Sequence, residues 1–230
     1  AVVKRPRVSN FTDFDVFIQY DGVAIQYAAR YSELENADMI IIPGTKSTIS
    51  DMKWLRESGM EAMIKKCAQK GTPVFGICGG FQMLGKSISD PHNTEGGGSI
   101  SGMGMLDCKT IFNEEKTQVR TNGKFNDIEG TFGFLSGSRY EGYEIHMGET
   151  MIGGNALLDK GGCVKDNVCG CYIHGIFDDE QVSEKIVKML FEARGLEYMG
   201  GVTCLLYTSD AADDLLCVDL GGRSIIKKKT

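Results

Sequence analysis

The chain has 230 residues, a formal net charge of −6 and 42% hydrophobic residues, which describes a globular protein long enough for one domain with a sizeable core. The mildly acidic balance argues against a nucleic-acid partner. No apolar run approaches a membrane span and no signal-peptide pattern opens the chain, so the reading is cytoplasmic with no membrane partner. Eight cysteines occur without any Cys-x-x-Cys spacing, and Cys169-x-Cys171 has no supporting histidine, so they read as reduced thiols and not as a metal site.

In chain order, the first fifteen residues start without methionine and read as a strand entering a polar turn, as in a fragment of a longer polypeptide. A second strand is expected at 23–27. Met39 and three isoleucines then form a buried parallel strand that ends in Pro43-Gly44-Thr45-Lys46, at the strand end where open α/β sheets place their ligands. A helix is expected over 50–57, and Ser58-x-x-Glu61 reads as the capping box of a second helix closed by Gly71.

The next apolar run, 74–77, ends at a cysteine fenced by Gly76 and Gly80, and Phe81, Gln82, Met83 and Leu84 then favour a helix. A strand-to-helix turn this tight holds its central side chain exposed and strained, and its neighbours must be glycine because a Cβ would collide. Cys78 therefore reads as a nucleophile for acyl transfer, with the start of the helix favouring thiolate. The alternative is a core cysteine beside a glycine turn. Residues 80–87 also satisfy the phosphate-loop pattern Gly-x-x-x-x-Gly-Lys-Ser. Their interior is apolar and helix-prone, and the residues after Ser87 cannot make the required helix, so this reads as a chance match.

Glycine-rich loops around 96–104 precede strand-like runs at 105–112, 117–121, 142–147 and 168–174. A helix over 178–194 follows, with Val182, Ile186, Met189, Leu190 and Ala193 on one face. Strands alternating with helices predict an α/β fold: a doubly wound, mostly parallel sheet flanked by helices as a flavodoxin-like three-layer sandwich. From Cys204 onward the period and the capping logic are lost. Residues 204–230 read as a non-native tail resembling translated sequencing adapters, which leaves 1–203 as the domain. A native C-terminal hairpin is the alternative.

A cysteine nucleophile needs a base, and there are three histidines. His92 lies in a polar Pro-Asn loop. His146 lies inside a strand-like run. His174 stands where a strand ends in glycine before a helix, at the edge of the sheet that binds ligands.

The order Cys78 then His174 is that of class I glutamine amidotransferases. Five runs carry a closer likeness: Pro-Arg-Val-Ser-Asn-Phe-Thr-Asp-Phe-Asp at 6–15, Pro-Gly-Thr-Lys-Ser-Thr-Ile at 43–49, Gly-Ile-Cys-Gly-Gly-Phe-Gln-Met-Leu-Gly at 76–85, Glu-Gly-Tyr-Glu-Ile-His-Met-Gly at 141–148 and Tyr-Ile-His-Gly-Ile-Phe at 172–177. Over roughly 1–200 the chain resembles the C-terminal glutamine amidotransferase domain of the cobyric acid synthase family. The cobyrinate diamide synthase pattern fits less well at two of these runs. The resemblance implies a glutaminase with Cys78 as nucleophile and His174 as base. The Gly79 amide and an amide of the Gly44 loop would hold the oxyanion. Gln82, Glu144 and His146 would line the glutamine pocket.

The resemblance also implies an N-terminal amidoligase half, absent here, that uses ATP and Mg²⁺ to activate corrinoid carboxylates for the ammonia; this chain would hold no cofactor or metal. Most class I amidotransferases carry a glutamate two residues after the histidine, where this chain has Ile176. The imidazole would then be oriented by Asp178, Asp179 or water. A catalytically silent regulatory module and a cysteine hydrolase on the same fold remain as other readings.

Overall fold

The computed structural model describes residues 1–5 and 11–200; the expected tail at 204–230 and residues 6–10 of the opening run lie outside them. The first half of the chain forms β1 Val2–Val3, a 3₁₀ helix Phe11–Gln19, β2 Tyr27–Ala28, β3 Ile40–Ile42, α1 Thr48–Glu57, α2 Met60–Gln69, β4 Val74–Ile77 and α3 Gly79–Leu84. The second half forms β5 Ser87–Asp90, β6 Gly98–Ser101, β7 Cys108–Lys124, a short 3₁₀ helix Gly130–Leu135, β8 Arg139–Ile152, β9 Cys163–Lys165, β10 Val168–Cys171, β11 Ile173–His174 and α4 Glu180–Ala193.

The central sheet runs β2-β1-β3-β4-β10-β9 and is parallel except for β9. Alternation along its strands feeds two apolar cores. Ile40, Ile42 and Val74 pack with Ile49, Met52 and Leu55 of α1 and Ile64 of α2. Ile41, Phe75 and Ile77 pack with Phe14 and Phe17 of the first 3₁₀ helix and with Val182, Ile186 and Val187 of α4. Strands buried on both faces and covered by helices on both sides give the expected three-layer α/β sandwich.

A second sheet, β11-β8-β7-β5-β6, abuts the first. The expected strand at 168–174 is in fact two. The chain leaves β10 in the central sheet, passes Tyr172, and enters β11 against Tyr143 and Glu144 of β8. His174 therefore sits where the two sheets meet. The expected strands at 105–112 and 117–121 merge into β7, with an irregularity between Ile111 and Lys116 against β8. The stretch read as glycine loops contains β6, which pairs antiparallel with β5.

The capping box at Ser58 and Glu61 does not form. Helix α2 starts after Gly59 at φ 79° with no side-chain cap. Glu61 instead pairs with Arg56 at 2.8 Å and Lys65 at 2.7 Å, charged partners that outcompete a backbone amide. Among the described residues no helix is long and apolar enough to cross a membrane.

Candidate active site

Four strand ends converge at one edge of the central sheet: Arg5 after β1, Gly44 after β3, Cys78 after β4 and His174, the last residue of β11, just past β10. β2 lies on one side of β1 and β3 on the other, so the strand order reverses here, at the crevice where open α/β sheets bind ligands.

Cys78 joins β4 to α3 with φ 50° and ψ −112°, a conformation that non-glycine residues rarely adopt. The flanking glycines make this turn possible. A Cβ on Gly76 would come within 2.8 Å of the Gly80 carbonyl carbon and the Phe81 nitrogen, and one on Gly80 would overlap the Ile42 carbonyl oxygen. The side chain is 6% exposed and its Sγ lies 3.4 Å from the Ile145 carbonyl oxygen.

His174 is 3% exposed. Its Nδ1 lies 2.7 Å from Asp13 Oδ2, and the Cys78 thiol is a second polar partner of the side chain. Tyr143 stacks on the ring at 5.2 Å. Burial alone would lower the imidazole pKa; hydrogen bonds and charges from Asp13 and Cys78 more than reverse this and raise it to about 9. The orienting carboxylate is thus Asp13, in the first 3₁₀ helix, and not the expected Asp178 or Asp179. Asp179 caps α4 by accepting from the Gln181 amide at 2.9 Å. Asp178 has a pKa raised by burial and then by the charge of Asp13. Ile176, in the position of the usual glutamate, is 1% exposed in the core.

The Gly44 loop packs directly on this pair. A Cβ on Gly44 would lie 3.0 Å from His174 Cε1 and 3.5 Å from Cys78 Cβ. A Cβ on Gly79 would lie 3.1 Å from the Thr45 nitrogen. The structure therefore brings together Cys78, His174, Gly44 and Gly79, and adds Asp13.

The three expected pocket residues are each hydrogen-bonded within the protein. Gln82 is 2% exposed and engaged internally: its Oε1 accepts from Thr48 Oγ1 at 3.1 Å, and its Nε2 donates to the Met147 carbonyl at 3.2 Å and to Tyr172 Oη at 3.1 Å. It ties α3 to α1 and to β8. His146 stacks on Tyr172 at 3.6 Å, with Nε2 3.0 Å from Glu144 Oε2 and Nδ1 3.1 Å from the Gly148 carbonyl. The ring has an oxygen at each nitrogen. His92 is exposed in its loop. One cleft, containing Tyr143, Gly175 and Asp178, opens beside His174, and another contains His146 and Tyr172.

Residues 80–87 do not form a phosphate cradle. Gly80 to Leu84 are helical, and Lys86 is paired with Asp107. Among the described residues no group of three or more His, Cys, Asp or Glu is placed to hold a metal.

Sequence reasoning missed Asp13 and two further polar contacts. Glu95 Oε2 accepts from the Thr48 amide at 2.6 Å, beside Gln82, and its loop is tied down by Asp90, which accepts from the Thr94, Glu95 and Gly97 amides at 2.8 Å each. Arg5 is buried against the Gly44 loop. Asp13 does lie inside the 6–15 run that carries the resemblance; Glu95 and Arg5 had no signal of their own.

Residues 1–182 match the CobB/CobQ-like glutamine amidotransferase domain. The chain is 45% identical over 214 residues to a cobyric acid synthase of Ruminiclostridium cellulolyticum, covering 86% of this chain and 41% of that protein. It is 38% identical over 231 residues to the cobyric acid synthase of Moorella thermoacetica, covering 94% and 45%. The chain thus spans less than half the length of these curated relatives. A structure of PurLQS from Thermotoga maritima superposes with a TM-score of 0.60 at 20% identity, over 82% of this chain and 97% of that one, a likeness of fold. With a strained cysteine elbow, a histidine at the adjoining strand end and a family match over most of its length, this chain belongs to the CobB/CobQ-like glutamine amidotransferase family.

Proposed function

We propose that the chain is the glutamine-hydrolysing part of a cobyric acid synthase, supplying ammonia for the ATP-dependent amidation of corrinoid carboxylates. The observation that carries the chemistry is the buried Cys78–His174–Asp13 line at the sheet edge. Cys78 sulfur attacks the side-chain amide carbon of glutamine while His174 takes the thiol proton. The carbonyl oxygen becomes an oxyanion, held by the Gly79 amide and an amide of the Gly44 loop. His174 returns the proton to the amide nitrogen, the C–N bond breaks, and ammonia leaves a glutamyl thioester on Cys78. Water, deprotonated by His174, then cleaves the C–S bond to release glutamate and restore the thiol. Asp13 keeps the His174 proton on Nδ1 and stabilises the imidazolium.

The relatives' greater length and their name support a second half that activates the corrinoid with ATP and Mg²⁺. Nothing in the 80–87 segment fits nucleotide phosphates, so no step of ligation is placed on this chain. Gln82, Glu144 and His146 shape the glutamine pocket from behind, through the backbone of β8.

The test is covalent trapping. A diazoketone analogue of glutamine should label Cys78 in the chain joined to its amidoligase half, and Cys78→Ser should abolish both label and glutaminase turnover. An unlabelled Cys78 would favour the catalytically silent regulatory module instead.

A further inference from the structure

β1 ends at Val3, and the chain continues through Lys4, whose amide still donates to the Ala28 carbonyl, to Arg5. The Arg5 side chain is 0% exposed. Burying a guanidinium is costly unless it is paired and hydrogen-bonded, and a buried ion pair is seldom more stable than apolar side chains of equal volume. Stability alone therefore does not account for Arg5. Its hydrogen bonds suggest another role: Nη1 donates to Asp51 Oδ2 at 2.6 Å, and Nη2 donates to the carbonyl oxygens of Pro43 at 2.7 Å and Gly44 at 2.8 Å. Asp51 also accepts from Thr45 Oγ1 at 2.6 Å, and Thr45 Oγ1 accepts from the Ser47 amide at 3.1 Å.

Two consecutive carbonyls turned onto one nitrogen fix two consecutive peptide planes. No peptide among the described residues is cis, so the Gly44 and Thr45 N–H groups point away from Arg5. On that far side lie the reacting groups: Gly44 packs on His174 and Cys78, and the Thr45 nitrogen lies beside Gly79. The loop is a thin wedge, with Arg5 behind it and the cysteine elbow in front.

We infer that Arg5 is the positioning residue of the oxyanion loop, holding the peptide planes of residues 43–45 so that their amides face the substrate carbonyl. This rests on the reading of Cys78 as the glutaminase nucleophile. Glycine at position 44 lets the loop approach the imidazole closely but leaves it conformationally loose. The planar guanidinium supplies the missing rigidity from outside the loop. Lysine could keep the charge near Asp51 but has no fork to hold two carbonyls and a carboxylate together. Burial lowers the Arg5 pKa to about 10, opposed by Asp51 and then Cys78, so the group stays charged at neutral pH beside the thiol.

The experiment uses the full two-part protein with Arg5→Lys, and Arg5→Ala with and without added guanidinium ion. Glutaminase kcat and KM are measured beside the rate at which iodoacetamide alkylates Cys78. Alkylation is a displacement at saturated carbon and develops no oxyanion, so it reports on Cys78 and His174 but not on the loop. Arg5→Lys should lower kcat by about 100-fold or more, as loss of an oxyanion donor does, with KM and alkylation within about 3-fold of wild type. Guanidinium should restore part of kcat to Arg5→Ala. A kcat within about 3-fold of wild type in Arg5→Lys, or kcat and alkylation falling together, overturns the inference. If neither variant folds, Asp51→Asn replaces them: a kcat-selective loss supports the inference and unchanged kcat overturns it. Failure of the glutamine analogue to label wild-type Cys78 is a separate result, which removes the glutaminase reading itself.

Discussion

Asp13 and His174 are separated by 161 residues, yet Asp13 Oδ2 stands 2.7 Å from His174 Nδ1 in a site closed to solvent. A carboxylate from the first 3₁₀ helix, before β2, therefore occupies the place that a residue following the histidine would take in most class I amidotransferases. Asp13→Asn keeps the shape but cannot stabilise an imidazolium or hold its tautomer. Glutaminase turnover should fall roughly 100-fold or more, with the glutamine KM changed far less. Asp178→Asn should stay within a few-fold of wild type, and the reverse ranking would give the orienting role back to Asp178.

The same contact gives a pH dependence of stability. The folded imidazole titrates near 9 against an unperturbed 6.5, so the native state holds the proton more tightly than the unfolded chain does. The resulting stabilisation is fully present below about pH 6.5, declines as the pH rises, and is gone above about 9. Urea unfolding of wild type and Asp13→Asn across this window should show the wild-type advantage shrinking with pH. An advantage that grows with pH would contradict the assignment.

His174 and His146 should separate cleanly. In the proposed mechanism His174 takes the thiol proton, so on His174→Ala turnover should drop about 100- to 10,000-fold and iodoacetamide should alkylate Cys78 more slowly near neutral pH. His146 faces Glu144, Gly148 and Tyr172. His146→Ala should keep the alkylation rate and mainly raise the glutamine KM. The opposite pattern would move the base to His146.

Glycines in the elbow and on the surface should differ in cost. A Cβ on Gly80 would overlap the Ile42 carbonyl oxygen in the adjacent strand, so Gly80→Ala should lose more than about 4 kcal/mol or fail to fold. Gly104 has φ 68° and open space around it, so Gly104→Ala should lose about 1–2 kcal/mol from backbone strain alone. Denaturant unfolding measures both, and equal losses would mean that the elbow relaxes.

Lys86 pairs with Asp107 at the exposed start of β5. Lys86→Ala should leave glutaminase turnover within a few-fold, and calorimetry on the chain should detect no ATP binding. Micromolar affinity abolished by this substitution would restore the phosphate-loop reading of 80–87.

What the sequence determined by itself was what neighbouring residues impose on each other. A cysteine between Gly76 and Gly80 after an apolar strand reads as a tight elbow, and a Cβ on Gly76 would collide within the turn itself, with Gly80 and Phe81. Continuous apolar strands alternating with helices in the first half likewise pointed to a sheet covered on both faces, and glycine after His174 marked a strand end. Tertiary structure decided the polar partners. Nothing local says that Asp13 meets His174, that Arg5 reaches Pro43 and Gly44, or that Gln82 is engaged by Thr48, Met147 and Tyr172, because each contact depends on which strands lie side by side. The failed capping box is instead a local competition: Glu61 had a plausible backbone partner nearby, and Arg56 and Lys65, within one or two helical turns, took it. A buried polar group must find a partner, but which one it finds is settled only when the sheet has closed.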